Sequence, residues 1–298
     1  MKSFIDQIIN RTNELQSRIC VGLDPHLNLL PMGYYSNKNI DNLSKEELST
    51  IILDFNKSII DKIYNITLAV KLQIAFYEQL EESGIEVLHL TAKYAYNKGI
   101  PVILDAKRND IGSTASAYAR AYLEKEYIGA ITLNPYLGED SLKPFLQYKN
   151  KAVFALVRTS NNGAGDIQNI KLNNGEYLYN RIGKLINKWG KKYKLNQQFS
   201  ALGAVVGATY PKELSQLRRQ MTDNYFLVPG YGAQGGRAED IKNAFNDKGL
   251  GAIINSSRGI IFAYRNTKKY TESEYALAAR KAAIKMKNEI NDIIKGGK

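Results

Sequence analysis

The feature that most constrains this chain is an alternation. Apolar runs rich in β-branched residues occur at 18–24 ("RICVGLD"), 68–74 ("LAVKLQI"), 101–107 ("PVILDAK"), 130–136 ("AITLNPY"), 152–160 ("AVFALVRTS"), 201–208 ("ALGAVVGA"), 225–230 ("YFLVPG") and 252–258 ("AIINSSR"). Amphipathic stretches separate them, and no two runs are joined by a hairpin-length turn. Strands always separated by a helix-length segment pair in parallel, so the pattern predicts repeated βαβ units. Eight such units in 298 residues predict an α/β fold of the closed (β/α)₈ TIM-barrel type. The first run is not followed by a G-x-G-x-x-G turn, which argues against an open doubly wound sheet.

Helical periodicity is clear at 44–65, where Ser44 and Glu47 have capping-box spacing, and at 83–99 and 237–246. No low-complexity linker or fixed-period repeat divides the chain, so residues 1–298 are expected to form one domain. Two loops are long, 25–43 after strand 1 and 161–175 after strand 5. Both follow strand C-termini, the barrel face where active sites lie.

Composition limits the class of function. The net charge of +12 raises the question of nucleic acid, but the lysines are scattered along helical stretches such as 184–194 and 280–298. Such scatter marks solvated helix faces, so no nucleic-acid partner is expected; a basic surface still steers small anions. Cys20 is the single cysteine, which excludes an intramolecular disulfide and a Cys-rich zinc site. No apolar run reaches membrane-spanning length, and the N-terminal segment "MKSFIDQIINRTNELQ" is an amphipathic helix with acidic residues rather than a signal peptide. A cytoplasmic protein without a membrane partner is expected.

Charge is concentrated at strand ends. In "ILDAKRNDIGST" (103–114) an apolar run closes on Asp105, Lys107, Arg108 and Asp110. Alternation along a barrel strand puts Asp105 and Lys107 on the interior side at the mouth, with Leu104 and Ala106 towards the helices, and Asp110 on the following loop. The same spacing in strand 2 puts Lys71 and Gln73 inside and Val70, Leu72 and Ile74 outside; strand 1 ends in Asp24. Singly, these could be a helix cap, a lysine reaching solvent and an ordinary ion pair. Together they are several charges near a barrel core, which is costly unless they are paired and put to use. A second theme is anion binding: "VPGYGAQGGR" (228–237) makes a Gly-rich turn after strand 7, and "NSSRGI" (255–260) puts Arg258 at the end of strand 8. Loops 7 and 8 are the usual phosphate position in such barrels.

These blocks resemble one family. "LDAKRNDIGST" is similar to the D-x-K-x-x-D-I-x-x-T pattern of orotidine 5′-phosphate decarboxylases, and "VGLDP", "VKLQIAFYE", "VRTSN", "PGYGAQGG" and "NSSRGI" look like its other blocks, in the same order over about residues 18–265. The long insertions resemble the longer bacterial subgroup. The resemblance implies decarboxylation of orotidine 5′-phosphate to uridine 5′-phosphate, the last step of UMP synthesis, with no metal or organic cofactor. It implies a catalytic array of Lys71, Asp105, Lys107 and Asp110, with Lys107 as proton donor. Asp24 would then bind ribose hydroxyls, Thr159 or Ser160 the pyrimidine edge, and Gln234 with Arg258 the phosphate. A homodimer is implied, in which Asp110 and Thr114 reach the neighbour's site. Gln73 stands where many members of the subgroup carry Asn, which leaves its contact open. Two other readings stay in view: a metal-dependent sugar-phosphate decarboxylase or aldolase on a related barrel, and a non-catalytic nucleotide-binding barrel. The first needs a carboxylate metal ligand on strand 2, where this chain has Lys71.

Overall fold

The structure, a computed structural model, describes residues 2–35, 40–195, 198–232, 237–267 and 269–296. Eight strands form one closed parallel barrel in sequence order: β1 Ile19–Gly22, β2 Ala69–Gln73, β3 Val102–Arg108, β4 Ala130–Leu133, β5 Ala152–Arg158, β6 Leu202–Val206, β7 Phe226–Val228 and β8 Ala252–Ser256. Closure is made by β8 against β1, with Ile254 beside Ile19 and Ser256 beside Val21. All eight predicted runs contain a strand, most of them shorter than the run, while β3 extends one residue past it to Arg108. No described helix is long and apolar enough to cross a membrane.

Side-chain alternation divides the apolar residues into two cores. Val70, Leu72, Leu104, Ile131, Val153 and Ile254 belong to the larger one, between barrel and helices. Cys20, Ala69, Ile103, Ala130, Phe154 and Ile253 belong to the smaller one, inside the barrel. The N-terminal helix α1 (Phe4–Leu15) plugs the lower end of the inner core with Phe4, Ile5 and Ile8, and Phe4 meets Phe154 edge-to-face at 6.2 Å. Space there is tight: a Cβ on Gly203 would lie 2.5 Å from the Tyr225 carbonyl oxygen and 2.8 Å from the Phe154 ring.

Helix α2 (Lys45–Ile63) starts at the predicted capping box, the Ser44 hydroxyl accepting from the Glu47 amide while Glu47 accepts from the Ser44 amide. Helix α3 (Glu81–Asn97) fills the next crossover. The segment predicted as a helix at 237–246 is shorter than its periodicity suggests. It forms one turn at Ala238–Ile241 and a 3₁₀ turn at Lys242–Ala244. The long loop after β1 carries 3₁₀ turns at Leu27–Leu29, Met32–Tyr35 and Ile40–Asn42; the loop after β5 carries a helical turn at Gly165–Gln168.

Two strands break register at the mouth, with different consequences. Between Leu104 and Arg108, β3 advances four residues while β4 advances two, from Ile131 to Leu133. The excess is even, so the inside-outside alternation survives: Lys107 stays on the side of Asp105, and Arg108 turns outwards to Glu78 and Tyr122. Between Leu156 and Arg158, β5 advances two residues while β6 advances one. That odd excess reverses the alternation, and Arg158 leaves the interior to lie 3.8 Å from the Tyr210 ring centroid and 5.4 Å from that of Tyr179.

Candidate active site

The inner faces of β2, β3 and β4 end in polar residues where the barrel opens. Asp105 is the hub. Its Oδ1 accepts from Lys107 Nζ at 2.6 Å and from the Thr132 hydroxyl at 2.8 Å. Its Oδ2 takes Lys71 Nζ at 2.9 Å and the Gln73 amide at 3.3 Å. Lys71 continues the chain of charges to Asp24, 3.6 Å away. The order from strand 1 to strand 3 is therefore minus, plus, minus, plus.

Burial and pairing act in opposite directions on this array. Burial alone would raise the pKa of Asp105, which is 7% exposed, but the cations of Lys71 and Lys107 outweigh it and hold the carboxyl well below the usual range. Burial alone would lower the pKa of Lys71, but Asp105 and Asp24 more than offset it and the net shift is upwards. Both stay charged at neutral pH. Lys107 differs in its access, its side chain being 43% exposed against 6% for Lys71. One ammonium is fixed within the wall and the other faces the opening.

The array lies on one wall of a cleft of about 820 Å³. Of the residues singled out in the sequence, Asp24, Lys71, Gln73, Asp105, Lys107, Thr159, Ser160 and Arg258 all line it. Asp110 and Thr114 do not: the Asp110 carboxylate caps the Ile111 amide at 2.8 Å, and Thr114 is exposed in the first turn of the helix Gly112–Leu123. Gln234 lies outside the described residues. Arg258 is the first residue of a short helix, with an exposed side chain in the lining of the cleft. A Cβ on Gly22 would lie 2.7 Å from that of Ser257, so β1 approaches the turn before Arg258 as only a glycine permits.

Sequence reading passed over other lining residues, among them His26, Gln168 and Thr132. His26 packs against Phe76 with centroids 4.3 Å apart and the rings tilted by 59°, and its pKa is lowered by burial and by the nearby Arg258 cation. Gln168, from the loop after β5, accepts from the Thr159 amide at 3.0 Å and from Arg158 at 3.2 Å, and donates to the Thr159 hydroxyl at 2.8 Å. Thr132 was detectable, since it stands two places after the inward Ala130; Gln168 carried no signal, because a loop has no periodicity to read.

Residues 17–272 match the sequence model of the orotidine 5′-phosphate decarboxylase / HUMPS family. The chain belongs to this family. It is 42% identical over 291 residues to the orotidine 5′-phosphate decarboxylase of Petrotoga mobilis, covering 96% of this chain and 97% of that one. It is 40% identical over 294 residues to the enzyme of the same name from Clostridium kluyveri, covering 96% of each. Among solved structures it resembles the Leishmania donovani OMP decarboxylase, with a TM-score of 0.78 at 31% identity over 98% of this chain and 99% of that one. The family match encloses every block that carried the resemblance. Its fit to the site is direct at β2, where Lys71 is ion-paired on both sides at the position a metal-enolate barrel needs for a carboxylate ligand.

Proposed function

We propose that this cleft decarboxylates orotidine 5′-phosphate to uridine 5′-phosphate and CO₂ without metal or organic cofactor, with Lys107 as the proton donor. The observation that carries the reading is the unbroken ion-pair chain Asp24–Lys71–Asp105–Lys107, whose last ammonium alone faces the opening. Cleavage of the bond from C6 to the carboxylate leaves its electron pair on C6 as CO₂ departs. Lys107 stabilises that developing charge and then transfers an ammonium proton to C6, ending as a neutral amine. Asp105 holds Lys107 in line, and Lys71 keeps Asp105 charged and in place, so little reorganisation is needed as charge moves.

The binding roles are those the family resemblance implies, supported by the place of Asp24, Thr159, Ser160 and Arg258 in the lining of the cleft. Asp24 takes ribose hydroxyls, Thr159 or Ser160 the pyrimidine edge, and Arg258 with Gln234 the phosphate. Asp110 and Thr114 serve the partner's site in a homodimer; in support, they lie off their own cleft, beside exposed Ile111 (53% exposed) and one barrel unit from exposed Tyr136 (82%). A small nucleotide, rather than nucleic acid, is the ligand, and the single buried free cysteine suits the reducing cytoplasm.

The test is the loss of orotidine 5′-phosphate absorbance in the presence of a chelator. The wild-type chain is expected to turn over undiminished. Lys107→Ala should lose at least about 10³-fold in kcat while keeping its circular dichroism, since acid and cation disappear together. Near-normal turnover by that variant would overturn the assignment; turnover that needs added metal would favour the sugar-phosphate reading.

A further inference from the structure

We propose that Thr132, on β4, is a positioning residue that sets the geometry of proton donation by Lys107. The inference rests on the role given to Lys107 above. Lys107 has φ 47°, a left-handed conformation that few non-glycine residues adopt and that has to be held by its surroundings. It lies in the stretch where β3 breaks register with β4, so its amide has no regular ladder partner. Thr132 supplies one: its hydroxyl oxygen accepts from the Lys107 amide at 3.1 Å. A hydroxyl has one proton to give, and Asp105 as a carboxylate can only accept, so that proton points at Asp105 Oδ1, 2.8 Å away. Oδ1 is the same oxygen that binds Lys107 Nζ at 2.6 Å.

A single buried hydroxyl, on a residue 1% exposed, thus ties both ends of the Lys107 side chain. It holds the backbone from which the side chain springs and the carboxylate oxygen to which its ammonium is anchored. Removing the hydroxyl orphans the Lys107 amide and takes from Oδ1 the one donor that is not Lys107 itself, which lets the ammonium drift from the line to the reacting carbon. Proton transfer is sensitive to displacements of well under an ångström. Substrate binding, which is assigned above to residues that the Thr132 hydroxyl does not touch, is not.

The experiment compares Thr132→Val with Thr132→Ser, each in the wild-type chain and in Lys107→Ala, measuring kcat, KM and urea stability. Thr132→Val is expected to lower kcat by roughly 10- to 100-fold with KM changed by less than about threefold, and Thr132→Ser to stay within about threefold of wild type. In the Lys107→Ala background, Thr132→Val should leave the residual rate unchanged, whereas a merely structural role would lower it as much as in the wild type. Wild-type kcat in Thr132→Val, equal damage by serine, or an undiminished effect without Lys107 would each overturn the proposal. Should the valine chain not fold, Thr132→Ala is read against the same outcomes. An inactive wild-type chain overturns the underlying role of Lys107 as well, and that is seen before any variant is made.

Discussion

Asp105 shows how a buried charge can be both stabilising and useful. Its four contacts leave neither carboxylate oxygen unpaired, and two of its partners are cations. Asp105→Asn keeps the shape but leaves buried Lys71 with Asp24 alone, 3.6 Å away. Removing one partner of a buried pair costs about 3 kcal/mol, and that loss is expected in urea unfolding at pH 7. The pH dependence follows from the direction of each shift. The folded pKa of Asp105 lies below its unfolded value, so its contribution is present above about pH 4 and fades as pH falls through the folded value. The folded pKa of Lys71 lies above its unfolded value, so its contribution is complete below about pH 10 and fades as pH rises through the folded value. The gap between wild type and Asp105→Asn should therefore be flat near neutrality and narrow below about pH 4. Equal stability at pH 7 would mean that repulsion within the array cancels its attractions.

Among the elements, the loop after β5 decides how the Thr159 side of the cleft is presented. The one-residue bulge sends Arg158 out between Tyr179 and Tyr210, and from there it holds Gln168, which in turn holds both the amide and the hydroxyl of Thr159. This clasp places the loop before any ligand arrives. Gln168→Ala is expected to raise KM by about 10-fold, the binding cost of ordering the loop on demand, with a smaller fall in kcat. Hydrogen exchange should quicken at 159–169 in the same variant. Kinetics indistinguishable from wild type would show that the loop is held by other contacts. The bulge in β3 has the opposite outcome because its excess is even, leaving Lys107 beside Asp105. Alternation alone predicted the right face for Lys107, and it could not reveal the left-handed backbone there.

For the whole molecule, the proposed dimer makes a quantitative prediction. If Asp110 serves the neighbouring site, a mixed dimer of Lys107→Ala and Asp110→Ala chains collects both lesions in one site and none in the other. Random exchange at equal amounts makes half the dimers mixed, so activity should recover towards about a quarter of wild type. Decarboxylation assayed after mixing, with exchange confirmed by a tagged chain, decides it; no recovery would assign Asp110 to its own subunit or to no catalytic role. The fold places the scattered basic residues in surface pairs such as Lys184 with Glu176, Lys192 with Glu139 and Lys194 with Asp223. Such exposed pairs add little stability individually and leave the excess positive charge as a steering field for an anionic substrate.

Sequence alone pointed to the barrel, because eight apolar runs separated by helix-length segments pair in parallel and no dinucleotide-type glycine turn favours an open sheet, and strand parity then put Lys71, Asp105 and Lys107 on one inner wall. It also marked Asp24 and Arg258, since strand C-termini in such a barrel converge. Tertiary structure decided the rest. Whether a bulge adds an even or an odd number of residues depends on how neighbouring strands settle, and that choice kept Lys107 in the cleft and turned Arg158 away from it. Gln168 reached Thr159 across nine residues of loop, a contact with no periodic signature. Thr132 acquired its place between Lys107 and Asp105 only once β4 lay beside β3, because the hydroxyl's partners are a strained amide and a carboxylate that exist in that geometry alone.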